Sequence, residues 1–201
     1  MRLAVFASGS GSNLQAMIEA SKRGKISGRI VLVLSDNEKS FALERARQHN
    51  IEAVFIDPRN YSDRETYDKA VVSLIQEKDV GLVVLAGFMR LLSPYFIREY
   101  RDRIMNIHPA LLPSFPGVDG VRQALQYGVK VSGCTVHFVD EGLDTGPIIL
   151  QEAVDVYDND TVESLHERIH EVEHRLYPPA VQLFIEGRLR LEERRCFIDE
   201  K

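Results

Sequence analysis

Four short apolar runs separated by amphipathic segments restrict the fold more than any other feature of this chain. The runs are RLAVFA at 2–7, IVLVLS at 30–35, EAVF at 52–55 and LVVLA at 82–86. Segments of helical period lie between them, near 12–22, 40–49 and 63–78. The third sets Tyr67, Val71 and Ile75 on one side, as a helix packed on a sheet requires. Strands and helices in strict alternation imply βαβ units and a largely parallel sheet. After residue 100 the rhythm changes. RIMNI reads as a fifth strand, VRQALQYG as a short helix, and GCTVHFV with PIILQEAV as an antiparallel pair. A last helix near 161–176 carries Val162, Leu165, Ile169, Val172 and Leu176 at spacings of three and four. Pro178 and Pro179 are expected to interrupt or kink it before AVQLFIEG. The expectation is one α/β domain over 1–201, Rossmann-like, with a mostly parallel mixed sheet flanked by helices.

Composition removes several classes of function. A chain of 201 residues is one generous domain or two small ones. Its net charge of −5 implies no basic face, so no nucleic-acid partner is expected, and an anionic ligand needs a local site. Cys134 and Cys196 make neither a disulfide framework nor a metal-ligand spacing, which points to a reducing, cytoplasmic setting. The opening MRLAVFASGSGS reads as a strand rather than a signal peptide. No stretch approaches the roughly 20 apolar residues of a membrane span, so no membrane partner is expected.

In VFASGSGSNLQAM a strand runs through a Gly9–Ser10–Gly11–Ser12–Asn13 turn into a helix. Small residues let the backbone approach a ligand, and a helix start aims free N–H groups at it with favourable dipole sign. Leu14 stands where G-x-G-x-x-G needs its third glycine, and the Walker lysine is missing. A single phosphate on a small molecule therefore fits better than a dinucleotide. The structural alternative is a tight turn with Ser12 or Asn13 as helix cap.

The stretch MNIHPALLPSFPG poses a sharper question. A strand built for burial ends in Asn106 and His108, and buried polar side chains are costly unless satisfied. Residues two apart on a strand face one side, so the pair projects together at the carboxyl end, where open α/β sheets bind ligands. A second polar cluster, VDEGLDTGPII, holds Asp140, Glu141 and Asp144. Asp144 is the candidate partner for His108, since a nearby carboxylate fixes an imidazole's tautomer and favours its charged form. Amide, imidazole and acid together suit stabilisation of a tetrahedral oxyanion with proton transfer. No serine or cysteine is evidently paired for attack, so the nucleophile is expected to arrive with the substrate. The proline- and glycine-rich segment from about 109 to 130 is the candidate for a mobile lid.

SGSGSNLQAM, LAGFMRLLSP, NIHPALLPSFPG, GCTVHFVDEGLDTGPII and EHRLYP, in this order from residue 2 to about 190, resemble the phosphoribosylglycinamide formyltransferase family, folate-dependent enzymes of purine synthesis. The resemblance implies formyl transfer from the co-substrate 10-formyltetrahydrofolate to the amine of 5'-phosphoribosylglycinamide. It assigns the phosphate to Gly11, Ser12 and Asn13 and the ribose to Glu173. It places the folate against Phe88, Met89, Arg90, Leu91 and Leu92, with Asn106 and the Asp140–Asp144 loop, and puts Arg64 and Arg90 near its glutamyl tail. It makes Asn106, His108 and Asp144 the catalytic set, implies no metal, and divides the chain into a nucleotide-binding half, 1–100, and a catalytic and folate-binding half, 101–201. Relatives include monomers and homodimers. Several also carry a histidine in the loop where this chain has Asp119 and Val121.

Three rival readings remain. HERIHEVEH contains a literal H-E-x-x-H at His166, Glu167 and His170, the pattern of a zinc hydrolase, although no third ligand follows at a recognised spacing. Formyltetrahydrofolate hydrolase and methionyl-tRNA formyltransferase share the triad but usually carry an additional domain, which this chain is expected to lack. A folate- or nucleotide-sensing module without turnover has no need of the three polar residues together.

Overall fold

The computed structural model describes residues 1–200, which form two compact units divided between Met105 and Asn106. The first unit runs β1 (Arg2–Phe6), α1 (Ser12–Lys22), β2 (Arg29–Ser35), α2 (Phe41–Gln48), β3 (Glu52–Phe55), α3 (Arg64–Glu77), β4 (Leu82–Leu85) and α4 (Pro94–Glu99). Its strands lie in the order β3-β2-β1-β4, all three pairings parallel. Leu3, Ala4, Val5 and Phe6 of β1 are fully buried, as a strand covered on both faces requires. Tyr67, Val71 and Ile75 form the buried stripe of α3. Because β1 is flanked by β2 and β4, the strand order reverses beside it. The carboxyl ends of β1 and β4 therefore border a topological switch point, where such sheets take ligands.

β5 (Ile104–His108) begins in the first unit and ends in the second. The second unit continues with α5 (Gly120–Tyr127), β6 (Val131–Phe138), β7 (Ile148–Asp155), α6 (Val162–Ile185), β8 (Leu189–Glu192) and β9 (Arg195–Ile198). Its strands follow the order β5-β6-β7-β9-β8; β6–β7 and β8–β9 are antiparallel and β7–β9 is parallel. The expected α/β class with a mostly parallel mixed sheet flanked by helices is the fold observed.

One local expectation fails in part. Pro178 and Pro179 do not interrupt the last helix, since α6 runs through them to Ile185. Each proline removes a backbone donor at a cost of about 3 kcal/mol in a helix interior. Burial of Tyr177, Pro178, Ala180 and Val181 around the defect offsets that cost. At its other end α6 starts on a reciprocal cap, in which Thr161 and Ser164 each accept the other's backbone N–H. Among the described residues, no helix is long and apolar enough to cross a membrane.

Candidate active site

β5 delivers Asn106 and His108, and the loop between β6 and β7 delivers Asp144. That loop is tightly wound. Asp140 Oδ1 accepts from the Gly142 N–H at 3.1 Å and the Thr145 hydroxyl at 2.6 Å. A Cβ at Gly146 would stand 1.8 Å from the Phe138 carbonyl oxygen, so only glycine fits there. Asp144 sits at φ +53°, a left-handed conformation that aspartate adopts more readily than most residues.

The sequence-predicted acid and histidine meet. His108 Nδ1 lies 3.5 Å from Asp144 Oδ2, and the histidine is 4% exposed. On the ring's other side, Nε2 is 2.7 Å from the Phe115 carbonyl oxygen. A carbonyl only accepts, so Nε2 carries a proton and Nδ1 is the nitrogen that faces the carboxylate. Asp144 Oδ2 also accepts the Gly117 N–H at 2.7 Å. The segment after β5 thus orients both members of the pair through its backbone. It is itself held by β6 and β7. Thr135 Oγ1 donates to the Ala110 carbonyl and accepts from the Leu112 N–H, while Gln151 Nε2 donates to the Leu112 carbonyl. Gly120, the first residue of α5, closes beneath the ring; a Cβ there would be 3.3 Å from His108 Nε2.

His137 completes the cluster, and the sequence reading missed it. Its Nε2 is 3.2 Å from Asn106 Nδ2 and 3.7 Å from Asp144 Oδ1, and its Nδ1 is 2.8 Å from the Phe138 carbonyl oxygen. That carbonyl fixes the proton on Nδ1, so Nε2 accepts from the Asn106 amide. Burial holds the His137 pKa below its usual value, which keeps the ring neutral and the acceptor available. The signal was present in GCTVHFV: Thr135 and His137 stand two apart on a strand, as Asn106 and His108 do. Nearby Cys134 is no nucleophile, because burial pushes its thiol up to about 12.

In the first unit the turn after β1 has the form an anion needs. Gly11 is the residue before α1, at φ +71°, and a Cβ there would lie 2.8 Å from Ala42 Cα. No side chain caps α1, contrary to the alternative in which Ser12 or Asn13 does so, and its first turn holds no acidic residue. An uncapped helix start of this kind suits an anion. The Arg45 guanidinium bonds the Ser10 carbonyl at 2.9 Å, which adds a cation beside the turn.

The segment after β4 is pinned at both ends by side chains. Ser8 Oγ accepts the Met89 N–H at 2.9 Å, and buried Asp68 accepts the Ser93 N–H. Between these anchors Met89 and Leu91 are exposed apolar side chains, Leu92 is buried, and Phe88 packs edge-on to Phe6 with centroids 5.4 Å apart. Among the described residues, no backbone-to-backbone hydrogen bond engages Arg90, Leu91 or Leu92. The Arg90 guanidinium lies 4.6 Å above the Tyr67 ring centroid, with a buried Nε that has no partner among the described residues. Arg64 is exposed at the first position of α3, an end where the helix dipole disfavours a cation.

On α6, Glu173 is 3% exposed, with Oε2 3.6 Å from His170 Nε2. His166 and His170 have ring centroids 4.0 Å apart. Burial, then the neighbouring His166 and His174, pushes His170 down to about 4. Among the described residues, no group of three or more His, Cys, Asp and Glu side chains is arranged to hold a metal.

An amide–imidazole–carboxylate cluster in the second unit and a switch-point glycine turn in the first suit a one-carbon group transferase, and the comparisons agree. The family model described as formyl transferase matches residues 1–181, and the chain belongs to that family. It is 41% identical to the phosphoribosylglycinamide formyltransferase of Bacillus subtilis (strain 168), over 90% of this chain and 93% of the relative. It is 46% identical to the trifunctional purine biosynthetic protein adenosine-3 of Chironomus tentans, over 96% of this chain but only 14% of that longer protein. Among solved structures, glycinamide ribonucleotide transformylase 1 from Symbiobacterium toebii superposes with a TM-score of 0.98 at 50% identity, covering all of this chain and 94% of that one. A formyltetrahydrofolate deformylase from Pseudomonas syringae pv. tomato is more distant, with a TM-score of 0.90 at 29% identity, over 99% of this chain and 66% of that one.

Proposed function

We propose that this chain is a phosphoribosylglycinamide formyltransferase that moves a formyl group from 10-formyltetrahydrofolate to the amine of 5'-phosphoribosylglycinamide, in the cytoplasm. The observation that carries the reading is the grouping of Asn106, His108 and Asp144, with a neutral His137 behind the amide. Gly11, Ser12 and Asn13 are assigned the ribonucleotide phosphate, and Glu173 its ribose hydroxyls, which a carboxylate accepts well. Phe88 to Leu92 are assigned the folate ring system. Exposed Met89 and Leu91, beside backbone groups not engaged with other backbone, fit a flat heteroaromatic edge. Arg64 and Arg90 are assigned its carboxylate tail. Asp140 closes its own loop, so its part toward folate is to shape the turn that presents Asp144.

10-Formyltetrahydrofolate supplies the formyl carbon, and the ribonucleotide's amine is the nucleophile. The Asn106 amide directs one N–H to His137 and has a second to donate to the oxyanion that forms on attack. As the imidazolium, His108 keeps its Nδ1–H on Asp144, whose carboxylate balances the charge, and turns its Nε2–H from the Phe115 carbonyl to the oxyanion. Asp144 then takes up the amine's proton through water, and His108 returns a proton toward the departing nitrogen. No step is routed through a metal.

Steady-state turnover with both substrates saturating tests this assignment. His108→Ala and Asp144→Asn should each lower kcat on the order of 10²–10³-fold. Near-normal turnover in both variants overturns it. Following deformylated folate with and without the ribonucleotide separates transfer from hydrolysis, because product formed without the ribonucleotide makes the chain a hydrolase.

A further inference from the structure

Tyr67 is a large aromatic side chain only 1% exposed, yet it is more than filler for the core under α3. Its hydroxyl is buried without a hydrogen-bond partner among the described residues, and burial pushes its pKa up, so it stays a neutral phenol. Buried hydroxyls without partners are expensive, and a phenylalanine of the same shape would avoid the cost. What distinguishes the ring is the guanidinium of Arg90, whose central carbon lies over it, 4.6 Å from its centroid. Tyr61 packs edge-on to the same ring at 5.4 Å and 86°, which locks the ring plane. Asp68, the next residue on α3, is 2% exposed and accepts the Ser93 N–H three residues beyond Arg90. Burial raises the Asp68 pKa, against the Ser93 hydrogen bonds and the charges of Arg90 and Arg64. The first two turns of α3 thus fix both where the chain carrying Arg90 runs and how its guanidinium lies. A guanidinium that meets an aromatic ring by its face keeps its terminal N–H groups for a carboxylate.

We infer that Tyr67 is a positioning residue that selects folates by their glutamyl tail, holding Arg90 flat so that its edge meets the tail carboxylate. The inference rests on the reading of Arg90 as a folate contact. A cation over an aromatic face is worth about 1–2 kcal/mol when desolvated, or roughly five- to thirtyfold in affinity.

Calorimetric binding to the whole protein decides it, using non-reacting tetrahydrofolate and its tetrahydropteroate counterpart, which lacks the glutamate. Tyr67→Leu should weaken tetrahydrofolate binding about tenfold and leave tetrahydropteroate unchanged. Tyr67→Phe, which keeps the ring, should bind both as the parent does. In an Arg90→Ala background, Tyr67→Leu should add nothing further. Steady-state kinetics should show the folate KM rising with kcat steady. Should Tyr67→Leu fail to fold, Tyr67→Met supports the same comparison. Equal weakening of both ligands, or a tenfold effect that persists without Arg90, overturns the positioning role and leaves the folate assignment standing. Unchanged tetrahydrofolate binding by Arg90→Ala alone overturns both.

Discussion

At the scale of single residues, the site depends on which nitrogen of each histidine carries its proton. In His108 and His137 a backbone carbonyl makes that choice: Phe115 for one and Phe138 for the other. His137 matters because a charged ring would present an N–H to the Asn106 amide and turn the amide around. Replacing His137 by Phe should lower kcat about tenfold, the worth of one well-placed hydrogen bond, with both KM values within twofold. His137→Gln should recover part of the loss, and kinetics in which the two variants match the parent would remove His137 from the site. Asn106 and His108 are legible in the sequence, because a two-residue period on an apolar strand leaves polar side chains few explanations. Asp144 was legible as the acid of a glycine-containing turn, whereas its left-handed backbone was not. His137 stayed hidden because one histidine in an apolar strand reads as a satisfied core residue.

Among the elements, periodicity located the strands and helices of the first unit almost to the residue. It fails where other forces decide. α4 is six residues long, too short for a period, and its real signal is a local one: Ser93 accepts the Phe96 N–H and Pro94 opens the helix. The β8–β9 hairpin is masked by the charges in LRLEERRCFI, where the exposed Arg190 and Arg195 lay their guanidinium groups over the Phe197 ring. In α6 the helix survives two prolines through tertiary burial that no local rule can see. The start of α6 also carries a pH-dependent clamp. Asp160 accepts the Tyr157 N–H, the Ser164 hydroxyl and two N–H groups of Arg168. The Arg168 pairing, then these other donors, holds its carboxyl well below the usual 3.8. A depressed folded pKa gives stability that is complete above the unfolded value and is lost as pH falls through the folded one. Asp160→Ala should therefore lower unfolding free energy by about 1–3 kcal/mol at pH 7, with the gap to the parent closing in strong acid. Denaturant titrations across that range check it, and a gap independent of pH would mean that the carboxylate's charge contributes nothing.

For the molecule as a whole, the proposed assignments reconcile a net charge of −5 with anionic ligands through local devices: an uncapped helix start at Ser12, Arg45 beside it, and arginines at 64 and 90. The literal H-E-x-x-H motif meets Glu173 through His170 Nε2, 3.6 Å from Oε2, and among the described residues no group of three or more His, Cys, Asp and Glu side chains is arranged to hold a metal. Turnover should accordingly persist after exhaustive chelation. Stoichiometric zinc in the purified protein, with activity abolished by a chelator and restored by the ion, would transfer the chemistry to α6. The course of β5 has one more consequence. Its first two residues belong to one compact unit, and the three that include Asn106 and His108 belong to the other. A split-reporter engineer who severed the chain at that seam would cut through the strand assigned the chemistry. Fragments meant to reassemble into a working enzyme should instead be divided at a solvent-facing bend such as Ser62–Asp63, which keeps the strand whole.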